Sequence, residues 1–184
     1  GLLKVSFEFA AVALEPIKEV AKEAGEVSVN GMEGMDVGAL KETPIIDLQT
    51  IRSDLAGKEH PETGIPYKEI TIELENGEIF KGVFPEFPNI FEVTLDESQY
   101  FDSDGRQFRC ANNELNAAIM GNPDLAVKFT PEQLEKIELG RTPDGYVWHH
   151  SETPGVLQLV DKELHELSRH TGGRSIWGGG QEFR

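Results

Sequence analysis

The chain has 184 residues, 38% of them hydrophobic, and a formal charge of −16. That is enough apolar sequence for one domain with a proper core, and no apolar run is long enough to span a bilayer. An acidic chain is poorly suited to sequence-independent binding of phosphate backbones, which basic surfaces drive. The single cysteine, Cys110, excludes an intrachain disulfide and a thiolate zinc site, so any metal must be held by imidazoles and carboxylates.

The charge is unevenly placed. From Gly145 onward there are five acids (Glu152, Asp161, Glu163, Glu166, Glu182) and four bases (Lys162, Arg169, Arg174, Arg184), nearly balanced. The acidity belongs to the upstream part, where it keeps the protein soluble or serves docking to a basic partner.

Leu2 to Leu14 is apolar and reads as a buried strand or a helix. Glu8 interrupts it and Lys4 is the only early base, which makes a poor signal peptide. The first residue, Gly1, suggests a piece of a longer protein. Glu15 to Ala24 reads as a helix, and the Gly- and Met-containing Glu26 to Gly38 as a linker. Thr43-Pro44 predicts a helix start, with Ile45, Leu48, Ile51 and Leu55 at helical spacing before Gly57. Lys58 to Pro66 is a loop, in which His60 reads as a hydrogen-bonding residue.

Tyr67 to Leu74 alternates as a strand, Asn76-Gly77 is a hairpin turn, and Ile79 to Phe84 returns. Ile90 to Leu95 is a further strand. Asp104 to Gly121 reads as a helix carrying Phe108, Leu115, Ala118 and Ile119, with Asn122-Pro123 as the break. Thr130-Pro131-Glu132-Gln133 is a capping box opening a helix that Gly140 closes. Tyr146 to His149 and Val156 to Val160 are short strands around a turn, Asp161 caps a helix running to about His170, and the tail from Arg174 has no regular pattern. Trp148 and Trp177 read as packing residues.

Four of the five histidines fall in this last part: His149, His150, His165 and His170. Neighbours on a strand point to opposite faces, so His149 and His150 serve different tasks. One can face the helix and ligate a metal with His165 and His170, and the other can face an open cleft as a base. His165 and His170 are five residues apart, so on an ideal helix their directions differ by roughly 140°. They converge only if the helix ends before His170, and Gly172-Gly173 favours such unwinding. Arg169 lies one turn after His165, within reach of a phosphate oxygen.

Trp148-His149-His150, then Leu157-Gln158-Leu159-Val160, then His165 and His170-Thr171-Gly172-Gly173 resemble the WHH branch of the HNH/endonuclease VII nucleases, a ββα-metal or His-Me finger group. The resemblance is most specific over Gly145 to Gly180. It extends more weakly to His60-Pro61-Glu62-Thr63-Gly64 and Gly82-Val83-Phe84-Pro85. It implies an α+β fold: a ββα core at residues 145–173 with an upstream hairpin and helices, inside a nuclease domain of residues 60–184. Residues 1–59 would be an extension or linker to a larger toxin.

By similarity to colicin-type nucleases, His149, His165 and His170 would bind one divalent ion (Mg, Mn, Zn or Ni), and His150 would be the general base. Gln158 is the nearest match to the motif's central Asn, at a different spacing from His165, and Arg169 would contact phosphate. Such domains are C-terminal toxins of secreted polymorphic toxins, including type VII effectors. That implies a DNA substrate, delivery into a target cell to act in its cytoplasm, a cognate immunity protein and a secretion adaptor. An RNA-cleaving toxin would use the same site. A non-catalytic module with a structural metal would instead show four protein ligands and no open position.

Overall fold

The computed structural model describes residues 42–184. The elements expected at Leu2 to Leu14 and Glu15 to Ala24, and the linker at Glu26 to Gly38, lie outside the described residues. What is described falls into two compact units, residues 42–48 with 70–82 and residues 49–69 with 83–184.

In the first unit the helix expected after Thr43-Pro44 is replaced by strand β1 (Ile45–Asp47). It pairs in parallel with β4 (Ile79–Pro85), Ile45 opposite Ile79, and Leu48 N–H extends the ladder to Lys81 O at 2.8 Å. The helical spacing was misleading for two reasons. Arg52 sits at φ 64, in the left-handed region that no continuous helix passes through. Of the four periodic residues, Ile45 and Ile51 are exposed and only Leu55 joins a core, from a short 3-10 turn at Ser53–Leu55. The hairpin forms as its sequence demands. β3 (Pro66–Glu73) and β4 are joined through Asn76-Gly77, with Gly77 at φ 85 and the Asn76 side chain accepting from Glu78 N–H.

The second unit holds the histidines. Its three-stranded sheet has the order β5-β7-β6, from Asn89–Thr94, Val156–Asp161 and Tyr146–His150. Both pairings are antiparallel, and His149 lies opposite Gln158, which lies opposite Glu92. The two-residue strand β2 (Lys58–Glu59) pairs with the start of β3.

The long helix α1 (Asp104–Gly121) has the bounds the sequence predicts, opened by the Ser103 side chain accepting from Arg106 N–H. Its inward face is more polar than its apolar periodicity suggests, with Gln107, Ala111, Asn112 and Leu115 buried. Asn122 does more than break the chain, because its side chain caps the short α2 (Pro123–Ala126). The expected capping box opens α3 (Pro131–Glu138), with Gly140 at φ 74 beyond it.

The sheet is covered on both sides. Trp148 and His150 point toward α1: Trp148 donates Nε1–H to Asn112 Oδ1 at 2.8 Å, and His150 Nε2 lies 2.8 Å from Gln107 Oε1. Val147 packs from the other side against a core of Leu55, Ile65, Tyr67, Val83, Phe87 and Val160, which Leu164 also joins. Helix α4 (Lys162–Leu167), capped by Asp161 as expected, stops three residues short of His170. The tail, expected to be irregular, forms α5 (Arg174–Trp177) and a 3-10 turn at Gly180–Phe183, because Arg174, Ile176 and Trp177 are buried.

Asn112 ties three elements together, receiving Trp148 Nε1–H and donating to Gly140 O and Thr142 Oγ1. Replacing it by Leu keeps the bulk but leaves these buried groups unpaired. Urea denaturation should show Asn112→Leu less stable by about 2–3 kcal/mol, and an unchanged stability would mean the network adds nothing.

Candidate metal centre

The expected alternation on β6 governs the site. His149 is carried to the face away from α1, where it meets His165 from α4 and His170 from the following loop. One ring nitrogen from each lies within 4.8 Å of the others, the geometry of a group able to hold a metal ion. His149 Nδ1 and His165 Nε2 are 3.3 Å apart, and the three ring centroids are separated by 4.6–5.2 Å. All three rings contact Phe87, at centroid distances of 4.9, 5.4 and 5.2 Å.

This apolar floor keeps the imidazoles uncharged. Burial first, then the neighbouring rings His170 and His165, holds His149 well below its ordinary range. Burial lowers His170 to about 3 and pushes His165 down too. At neutral pH all three therefore present lone pairs. His170 Nδ1 is buried with no hydrogen-bond partner, an orphan that a bound cation would satisfy. Three neutral imidazoles suit a divalent ion of borderline softness.

The loop that delivers His170 is built by contacts the sequence partly signals. The Tyr67 hydroxyl donates toward Ser168 O and Arg169 O, the carbonyls a continuing helix would have used, and burial pushes its pKa up to about 12, so it keeps its proton. Ser168 Oγ pairs with Thr63 Oγ1 at 2.6 Å, and Thr171 Oγ1 accepts from Ile51 N–H. Gly173 N–H donates to His150 O at 2.8 Å. A Cβ on Gly173 would overlap Ser151 O and crowd Trp177 Nε1, which itself donates to Ser151 O. The second glycine of His170-Thr-Gly-Gly is thus required by close approach to the end of β6.

His150 is not turned to an open cleft as expected. Alternation puts its ring on the face α1 covers, where it is 7% exposed and contacts Phe108 and Trp177. Around its Nε2 are Gln107 Oε1 at 2.8 Å, Arg174 Nη1 at 3.4 Å and Asp104 Oδ1 at 3.6 Å. Burial, then the Arg174 guanidinium, lowers it to about 3. Gln158 shares the His149 row but gives its Nε2–H to Glu92 Oε1 at 2.7 Å. Arg169 is exposed beside the cluster. His60 is a loop residue, as read from the sequence: its Nδ1 accepts from Glu62 and Thr63 N–H.

Sequence reasoning missed Phe87, Tyr67, Gln107, Asp104 and Arg174. The one available signal was a polar Gln107 among apolar α1 positions. Arg174, 1% exposed, donates to Gln107 Oε1 and to the carbonyls of Asp102 and Phe183, and pairs with Asp104 at 3.2 Å.

Glu152, counted above among the charges, is instead buried at 2% exposure, with Oε1 unpartnered. Burial raises its pKa to about 7, and nearby Glu86 and Glu92 add to the shift. Since the folded state holds this proton more tightly than the unfolded one, Glu152 removes stability as pH rises from about 4.5 through 7. Glu152→Gln should abolish that slope. Its stability relative to the parent should grow over this interval, by at most roughly 3 kcal/mol, in denaturation measured at pH 5 and pH 8. A difference independent of pH would contradict a buried, protonated Glu152.

No curated protein and no solved structure gives a match to this chain. One family does match, over residues 76–172, an interval that contains the β6-β7-α4 unit and all three clustered histidines. That interval covers more than half of the chain, so the protein belongs to the family described as the DNase/tRNase domain of colicin-like bacteriocins.

Proposed function

We propose that the protein is a metal-dependent endonuclease toxin that hydrolyses phosphodiester bonds, with DNA as its main substrate, and that His149, His165 and His170 hold its divalent ion. The observation carrying this reading is the convergence of three uncharged imidazoles from strand, helix and loop, within a chain of a nuclease family. When bound, the ion supplies stabilisation of the charge that builds on the phosphate and its leaving oxygen.

His150 is the proton acceptor in this proposal. Its Nε2–H is fixed by Gln107 Oε1, which leaves the lone pair on Nδ1, the same division of labour that an orienting group imposes on any catalytic imidazole. A phosphodiester laid across the end of β6 lies between the two faces, and its negative charge raises the low pKa of the free ring toward a useful value. Arg169 meets a phosphate oxygen from the loop between the two later ligands. Gln158 holds Glu92 in the row beside His149 and is a positioning residue.

The net charge of −16 sets a condition on this reading. Long-range attraction cannot recruit nucleic acid, so affinity has to arise locally, from the ion and the bases of the nearly balanced C-terminal stretch. The family further suggests a cognate immunity protein, delivery into a competing cell as part of a larger toxin, and action in its cytoplasm. The acidic upstream residues are the place for a basic partner, the immunity protein or a secretion adaptor.

Plasmid incubated with Mg²⁺, Mn²⁺, Ni²⁺ or Zn²⁺ should be nicked by the parent. His150→Ala should be slower by about 10²–10⁴-fold while its ion binding is kept. Full nicking by the variant overturns the assignment of the base. Cleavage of RNA alone transfers the reading to the ribonuclease form, and cleavage of neither polymer with any ion overturns it.

A further inference from the structure

We infer that Tyr67 is a positioning residue of the metal centre: its hydroxyl ends α4 and turns His170 toward His149 and His165. This rests on the metal reading above.

The geometric problem is the five-residue spacing of His165 and His170. On an uninterrupted helix the two rings point roughly 140° apart and cannot share an ion. The chain therefore has to leave the helix between them, and backbone groups freed there need other partners if they are buried. The structure supplies them from a distant segment. Tyr67 is fully buried, and its hydroxyl lies against Ser168 O and, at 2.9 Å, Arg169 O. Ser168 is fully buried as well, its hydroxyl held 2.6 Å from Thr63 Oγ1.

Beyond His170 the chain is fastened again, by Ile51 N–H to Thr171 Oγ1 at 2.9 Å and by Gly173 N–H to His150 O. His170 thus sits between two anchored points. The first is set by Tyr67 and Thr63, and the second by Ile51 and the end of β6. Packing alone does not explain the arrangement, since a Phe at position 67 would fill the same core and take the hydroxyl donor away from both carbonyls. Three of these anchors, Ile51, Thr63 and Tyr67, lie upstream of residue 76, where the family match begins. The working unit therefore starts before the matched interval and before the boundary at residue 60 expected from the sequence.

The test compares the parent with Tyr67→Phe, and with Ile65→Val as a packing control in the same core, using full-length protein. Titration with Co²⁺, followed by its visible absorption, should show Tyr67→Phe binding about 10–100-fold more weakly, with a spectrum changed by loss of one imidazole. Ile65→Val should keep the parent's spectrum and affinity. In the metal-free protein, amide exchange across residues 168–173 should accelerate in Tyr67→Phe and not in Ile65→Val.

Unchanged Co²⁺ affinity and spectrum in Tyr67→Phe overturn the inference, as does equal weakening by Ile65→Val. If the parent and both variants bind no Co²⁺, the metal reading fails. The exchange experiment then decides by itself whether Tyr67 holds the 168–173 loop, and unaltered exchange overturns that too.

Discussion

The structure of this site depends on where one helix stops. β6 and α4 bring His149 and His165 together by ordinary ββα geometry, but two imidazoles make a weak and undirected site. The third arrives only because α4 ends at Leu167 and the next residues turn back. The carbonyls of Ser168 and Arg169 accept from the Tyr67 hydroxyl rather than being carried on in a helical ladder. Gly173 then lets the chain pass against Ser151 O more closely than any side chain permits. Backbone hydrogen bonding decides the position of the third clustered imidazole here, and propensity has little part in it.

A second constraint is the alternation of β6, which separates two environments one residue apart. On one face His149 stands over Phe87 with the other clustered rings, an apolar setting that keeps imidazoles neutral. On the other, His150 enters a buried polar network of Gln107, Arg174 and Asp104. Arg174 is a charge taken almost completely from water, at a cost of several kcal/mol unless its donors are answered. Gln107, Asp104 and the carbonyls of Asp102 and Phe183 answer Nη1 and Nη2, leaving Nε without a partner, and in doing so fasten α5 and the end of the chain to α1. The segment that follows the histidine motif is thereby part of the scaffold.

Much of this was legible in the sequence, and the rest was hidden for identifiable reasons. Elements with local chemistry were read closely: the Asn76-Gly77 hairpin, α1 between Asp104 and Gly121, the capping box at Thr130, and the two strands around the histidine pair. The placing of His149 and His150 on opposite faces followed from strand periodicity alone. Failures came where long-range contacts overrule local pattern. Ile45 to Leu55 has helical spacing, but the edge of β4 and the left-handed Arg52 make it a strand and a turn. The tail offers no periodicity, because what orders it is the burial of Arg174, Ile176 and Trp177 within one short turn of helix. The environment of His150 was misjudged because a helix face that buries Gln107 and Asn112 is not recognisable from apolar spacing.

The proposed site requires three imidazoles to hold one incompletely enclosed cation. A crystal grown with Ni²⁺ or Zn²⁺ and measured at the metal's absorption edge tests it most directly. One anomalous peak is expected, about 2.0–2.1 Å from a nitrogen each of His149, His165 and His170, with at least one coordination position not taken by protein. A peak elsewhere, no peak among these rings, or a fourth protein ligand closing the shell would contradict it.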